Sequence, residues 1–314
     1  LFAGTAGGGI FRSSDGGSSW QPVNQGLTSL DVRALMAKPD GQSLYAGTWG
    51  GGVLRSDDGG DSWQPFNQGL TVLDVQSLMA GLDWQNLFVG TAGGGVFRSD
   101  NGGRSWKQVS QGLTDPRVQS LSMGPDARDL FAGTVAGGVF HSNDRGHSWQ
   151  PVNLGLADPR LRSLVVGPDG SSLLAGTSGS GVFRSGDGGG SWAPVSQGLT
   201  SLDVRALLGE SDGDGLYAAT WGGGVFRSHD GGASWQPVNQ GLTVQEVQSL
   251  VVGPDRRSLY AGTWGGGVFR SDSSGRSWQP ASQGLTETRV QSLIVGPHGD
   301  SLYAGTWGGG VFNS

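Results

Sequence analysis

The stretch Leu302–Ser314 reads LYAGTWGGGVFNS, and near-copies of it open at Leu1, Leu44, Leu87, Leu130, Leu173, Leu216 and Leu259. Neighbouring copies start 43 residues apart, with no insertion or deletion. A fixed period of that length marks a chain built by stacking one supersecondary unit. By length alone 314 residues could make two domains, but nothing resembling a linker interrupts the period. The expectation is one repeat domain over residues 1–314. Its abrupt start at a strand and its stop inside the motif suggest a piece cut from a longer chain at both ends.

One repeat, residues 245–287, contains four short β-rich segments. QEVQSLVVG is bounded by the turn signal Pro254-Asp255 and followed by SLYAGTW. Gly265–Gly267 permit a tight reversal into GVFRS, because glycine reaches positive φ without a Cβ clash. A second turn at Asp272–Gly275 leads to SWQPAS, and Gln283–Thr286 lead to the next unit. No stretch shows capped helical periodicity. Four strands per 43 residues, here named A (VQSL), B (LYAGT), C (GVFRS) and D (SWQPV), predict an all-β propeller of four-stranded antiparallel blades.

The C–D turn carries the most specific motif. Ser13, Asp15, Gly17, Ser19 and Trp20 recur as Ser56, Asp58, Gly60, Ser62 and Trp63, and likewise around Asp144–Trp149, Asp187–Trp192 and Asp230–Trp235. Two copies depart from it, with Asn101 before Trp106 and Ser273 before Trp278. This resembles the Asp-box, or bacterial neuraminidase repeat, S-x-D-x-G-x-S/T-W. A short acceptor side chain ties down N–H groups of a glycine-rich turn, and the Trp packs over the hairpin. The alternative, metal binding or catalysis by these aspartates, is disfavoured because a motif present in every blade cannot be one active site.

Eight B–C hairpins but only seven A and seven D strands leave the blade number open. Repeat 1 and repeat 5 share TSLDVRAL, and the residue before strand A runs Asp31, Asp74, Arg117, Arg160, Asp203, Glu246, Arg289. That acid–acid–base–base order suggests a duplicated four-blade unit. Eight blades are therefore favoured, with seven as the alternative. In a seven-blade ring the expectation is closure by the last B–C hairpin, leaving Leu1–Ser13 redundant.

Two sets of residues are candidates for binding. The charged series just given lies where strand A begins, at one mouth of the central channel, beside Arg33, Gln76, Gln119, Arg162, Arg205, Gln248 and Gln291. It reads either as a solvated rim of paired charges or as a polar binding mouth. The residue after each B strand is Ala6, Trp49, Ala92, Val135, Ser178, Trp221, Trp264 or Trp307. A close-packed core would not accept both Ala and Trp there, so this position is expected at the surface on the same face. Exposed Trp suits contact with protein or sugar; the alternative is that each indole covers the neighbouring blade's glycines.

Composition narrows the functions. Net charge of −6 with 15% charged residues disfavours nucleic acid. No apolar run approaches a membrane span, and no signal peptide is visible. No cysteine is present, the four histidines are scattered, and no cofactor or metal site follows. Asp212 and Asp214 lack a closing bidentate Glu for calcium and read as a turn.

Asp-box propellers include sialidases and xyloglucan-cleaving hydrolases, which implies a carboxyl pair. Here the only glutamates are Glu210, Glu246 and Glu287, and every Tyr belongs to the repeat phrase. The resemblance is nearer to insertion-free propellers of the photosystem II assembly-factor and sortilin types. It implies a non-enzymatic scaffold with a protein partner in an extracytoplasmic setting (periplasmic, cell-surface or secreted). The alternatives are a lectin-like propeller stacking glycans on Trp49, Trp221, Trp264 and Trp307, and a degenerate or partial glycoside hydrolase.

Overall fold

The computed structural model describes residues 1–209, 215–253, 255 and 257–295, and the backbone of 304–305. Seven β-sheets form a ring, so the count is seven blades and not the favoured eight. Blade 1 is Val32–Ala37 (A), Leu44–Thr48 (B), Gly52–Ser56 (C) and Gln64–Pro65 (D), and blades 2 to 6 repeat that order. Blade 7 takes its A strand, Val290–Ile294, from the end of the chain. Its other strands, Phe2–Thr5, Ile10–Arg12 and Gln21–Pro22, come from the beginning. The four-blade alternation thus records sequence similarity between repeats, while closure depends on which strands reach Val290–Ile294. The hairpin that closes the ring is also the opposite of the one expected: Leu1–Ser13 is used. Among the described residues no helix is long and apolar enough to cross a membrane.

The apolar core lies between blades. Ala34, Tyr45 and Val53 of blade 1 pack with Leu78, Val89, Phe97 and Trp106 of blade 2, and equivalent clusters recur around the ring. The B strands are therefore buried on both faces, which explains their near-continuous apolar runs, whereas the two-residue D strands at the rim are exposed.

Polar staples follow the same blade-to-blade logic. The Trp63 indole N–H donates to the Val23 carbonyl at 2.9 Å, and the Trp106, Trp149, Trp192, Trp235 and Trp278 indoles each reach back to the preceding blade. Trp20 completes the circle by donating to the Ala281 carbonyl at 2.7 Å. In the forward direction, Tyr45, Tyr217 and Tyr260 donate from their hydroxyls to the Gly102, Ser274 and Gly16 carbonyls of the next blade's C–D turn.

The motif aspartates hold their own turns. Asp58 accepts from the Ser62 N–H at 2.9 Å, from the Ser62 hydroxyl at 2.6 Å and from the Ser56 hydroxyl at 2.7 Å. Asp15, Asp144, Asp187 and Asp230 do the same. Asn101 keeps the pattern with its amide, accepting from the Ser105 N–H at 3.0 Å, and the Ser273 hydroxyl accepts from the Ser277 N–H at 3.0 Å.

Donation from Ser62 and then Ser56 draws the Asp58 carboxyl from 3.8 down to about 2, and Ser19 does the same for Asp15. A folded-state value below the unfolded one stabilises the fold above the unfolded pKa, and that stabilisation is lost as pH falls through the folded value. The melting temperature is therefore expected to decline steeply between about pH 4 and pH 2. Asn101→Asp, which adds a titrating box, should steepen that decline. An unchanged acid limb in this variant would contradict the assignment.

Candidate functional site

The D–A loops and B–C turns share one face of the ring, and a backbone irregularity aims side chains toward it. In every blade the A–B register slips beside the second residue of strand A: in blade 1 Val32 opposes Thr48 while Ala34 opposes Gly47. The extra residue of this β-bulge is Arg33, Gln76, Gln119, Arg162, Arg205, Gln248 or Gln291. Bulges re-aim side chains and cluster beside functional sites. These seven form an inner polar ring: Gln76, Gln119, Gln248 and Gln291 are buried, and the Gln291 amide donates to Asp31 at 2.7 Å across the blade 7–blade 1 junction.

The outer charged series resolves into pairs within single loops. Asp31 holds Arg33 through two bonds of 2.7 Å, and Asp203 holds Arg205 at 2.7 Å. Arg117, Arg160 and Arg289 are gripped by Asp115, Asp158 and Glu287, two residues upstream. The side chains of Asp115 and Asp158 are only 9% and 4% exposed. Burial opposes their ionisation, but donation from Arg117 and Arg160 outweighs it and keeps both carboxyls below the usual range. Donation from Arg289 likewise lowers Glu287. Asp74 caps the neighbouring turn, accepting from the Gly50 N–H at 2.9 Å. The Glu246 carbonyl accepts from the Trp264 N–H at 2.9 Å. This ring is mostly self-neutralised.

The tryptophans stand beside it. Trp49 is 43% and Trp264 37% exposed, while Trp221 is half-buried with its ring centroid 6.0 Å from that of Trp264. Guanidinium groups back each indole: Arg33 lies 5.1 Å from Trp49, Arg205 4.7 Å from Trp221 and Arg289 5.6 Å from Trp264. Such contacts hold the rings in place without removing them from solvent. Trp307 lies outside the described residues, and Ala6 occupies its position in blade 7.

Sequence reasoning missed the leucines of this face. Leu30, Leu73 and Leu202 are 44%, 38% and 42% exposed, and each carbonyl accepts an N–H from the preceding blade's B–C turn. The signal was available: all three occupy the same place in TSLDV or TVLDV, directly before the acidic residue. The result is an apolar arc over blades 5, 6, 1 and 2. Blades 3 and 4 instead carry Asp115-Pro116-Arg117 and Asp158-Pro159-Arg160.

Chemistry has little to build on here. Among the described residues, no three His, Asp or Glu side chains are grouped to hold a metal ion. His141 stacks on Phe131 and bonds Asp129 at 2.7 Å, and His147 bonds its own turn. Glu210, Asp212, Asp214 and His298 lie outside the described residues.

The family model described as "Photosynthesis system II assembly factor YCF48" matches residues 71–295. Among solved structures, "YCF48 bound to D1 peptide" is 20% identical with TM-score 0.65, covering 88% of this chain and 90% of that one. The Niastella koreensis GH74 enzyme is 18% identical with TM-score 0.75, covering 96% of this chain and 55% of that one. The Xanthomonas campestris GH74 xyloglucanase is 19% identical with TM-score 0.70, covering 92% and 52%. The chain thus spans about half the length of these GH74 enzymes. At such identities the likeness is one of fold. No protein of curated function matches the chain by sequence.

Proposed function

The chain belongs to the photosystem II assembly factor YCF48 family, and from that premise we propose that it is a non-enzymatic scaffold that binds a protein partner on the B–C face. The observation that carries this reading is the distribution of exposed apolar side chains. Of the seven large hydrophobic residues exposed among the described residues, five (Leu30, Trp49, Leu73, Leu202 and Trp264) stand directly after a B strand or directly before the residue that precedes an A strand on that face, while Leu154 lies earlier in a D–A loop, near strand D, and Leu82 in an A–B turn. Clustered exposure of this kind marks interaction surfaces, and Trp is enriched among residues that dominate binding energy. The structurally related YCF48 is bound to a D1 peptide, which supports a polypeptide as the ligand class.

A hydrolase reading has less support. Glycoside hydrolysis needs a carboxyl kept protonated by its surroundings. On this face the carboxyls of Asp115, Asp158 and Glu287 are each held in the opposite sense by an arginine. The Trp221–Trp264 pair favours a glycan as the second reading, since adjacent indoles can stack sugar rings.

The test is cross-linking in the native source followed by mass spectrometry, with binding to the identified partner then measured. Trp49→Ala and Leu202→Ser should each weaken it at least tenfold, while Leu82→Ser on the opposite face should not. Equal effects from both faces would refute the assignment. Glycan retention without any protein would replace it with the second reading.

A further inference from the structure

Strand C of every blade carries one arginine or histidine at the same place: Arg12, Arg55, Arg98, His141, Arg184, Arg227 or Arg270. Six of these are half-buried, and Arg184 alone is exposed.

Three kinds of neighbour hold the others. An aromatic ring from strand B lies beside the cation in blades 1, 2, 5 and 6, with Tyr45 5.7 Å from Arg55 and Tyr217 5.3 Å from Arg227, and Phe131 stacks on His141 in blade 3. Carboxylates pair with Arg98 and Arg270 at 2.7 Å and with Arg12 at 2.6 Å, from Asp100, Asp272 and Asp61. A long polar side chain stands directly opposite on strand D, Gln in five blades and Lys107 in blade 2.

Blade 4 has lost all three. Leu174 replaces the ring, and Ala193 lies opposite Arg184. Gly186 stands two residues after Arg184, where Asp57, Asp100 and Asp272 follow their arginines. Among the described residues Arg184 makes no hydrogen bond, ion pair or ring contact. The backbone does not demand the glycine: Gly186 is not left-handed, and a Cβ there would meet open space.

The bared guanidinium borders an apolar stretch of the rim. The Trp192 N–H donates to the Leu154 carbonyl at 2.8 Å, which sets blade 3's D–A loop beside the exposed strand Ala193–Pro194. Leu154 is 74% exposed, at a position that is Gln in the other six loops. One junction therefore brings together a cation without a partner and an exposed leucine.

We propose that the outer rim of blade 4 is a second docking surface, fitted to a segment of another polypeptide in which a carboxylate side chain stands next to an apolar one. The carboxylate meets the planar fork of Arg184, whose paired donors match it, and the apolar side chain covers Leu154 and Ala193. Charge selects this occupant. The nearby carboxylates of Asp187 and Asp230 are bound by serines of their own turns, so the complementary anion comes from outside. A second copy of this chain does not fit, because a two-fold contact sets one Arg184 surface against another. The surface lies at the rim, away from the exposed tryptophans, and does not rest on the B–C face reading above.

Selection from a phage-displayed library of random linear peptides against the full chain tests this. Counter-selection uses the triple variant Gly186→Asp, Ala193→Gln, Leu154→Gln, which gives blade 4 the residues of other blades and should melt no lower than the parent. The expected binders carry Asp or Glu beside an apolar residue. They should lose at least tenfold in affinity for Arg184→Gln and keep it for Trp49→Ala. The proposal fails if the binders lack an acidic residue, if Arg184→Gln leaves their affinity unchanged, or if no peptide separates the triple variant from the parent. It also fails, in favour of a second copy as occupant, if light scattering shows the parent self-associating and the triple variant monomeric.

Discussion

Trp63→Ala is expected to destabilise the ring by about 4 kcal/mol, in the range for deleting a buried aromatic side chain. Trp63 is 2% exposed and sits in one cluster with Phe2, Ile10 and Val23 of blade 7 and Leu44 and Leu54 of blade 1. Its removal opens a cavity at the junction between blades 7 and 1. It also strips the Val23 carbonyl of its indole donor. The two losses can be separated. Trp63→Phe keeps most of the apolar volume and forfeits the hydrogen bond, so it should cost about 1–2 kcal/mol. Trp49→Ala is the control: its ring is 43% exposed, and truncation should stay within about 0.5 kcal/mol. Urea midpoints of the three variants decide the matter. If Trp63→Ala fell no further than Trp49→Ala, the indole staple would not be what joins blades.

That contrast shows what the sequence made legible. Trp63 and Trp49 are both tryptophans of the repeat, and position in the period separated them correctly: one follows the C–D turn in every copy, the other alternates with Ala, Val and Ser. Strands and turns could be read because glycine and apolar periodicity are local signals.

Closure could not be read, because it pairs Phe2–Thr5 with Val290–Ile294, almost the full length of the chain away. Two near-identical stretches of sequence, Leu1–Ser13 and Leu302–Ser314, made either choice chemically reasonable. The duplication signal in Asp31, Asp74, Arg117 and Arg160 pointed to eight because it carries ancestry without geometry. The same four residues looked like a charged mouth, yet Asp115 and Asp158 were needed to see that Arg117 and Arg160 are already gripped. The bulge at Arg33 and its equivalents leaves no compositional mark, since Arg and Gln alternate there.

Gly26→Ala is expected to cost about 3–5 kcal/mol, far more than Gly50→Ala at about 1–2 kcal/mol. Both glycines adopt left-handed backbone, with φ of +86° and +78°, so both substitutions carry the same local penalty. They differ in what a Cβ would meet. Beyond Gly50 there is open space, whereas a Cβ on Gly26 would run into the Trp63 carbonyl, with the Trp63 backbone nitrogen 3.3 Å away. Relief requires the D–A loop of blade 7 to lift from blade 1. That movement would break the bond by which the Trp63 N–H donates to the Gln25 carbonyl at 2.9 Å, and it would disturb the seat of the Trp63 ring.

The Gln-Gly-Leu phrase thus exists to let one loop pass against the backbone of the next blade. Gly69, Gly112, Gly198, Gly241 and Gly284 face Trp106, Trp149, Trp235, Trp278 and Trp20 in the same way, so Gly69→Ala should match Gly26→Ala. Chemical denaturation of Gly26→Ala and Gly50→Ala measures the difference directly. Equal losses would mean that the left-handed conformation alone selects glycine there, and that the close approach between blades carries no part of the stability.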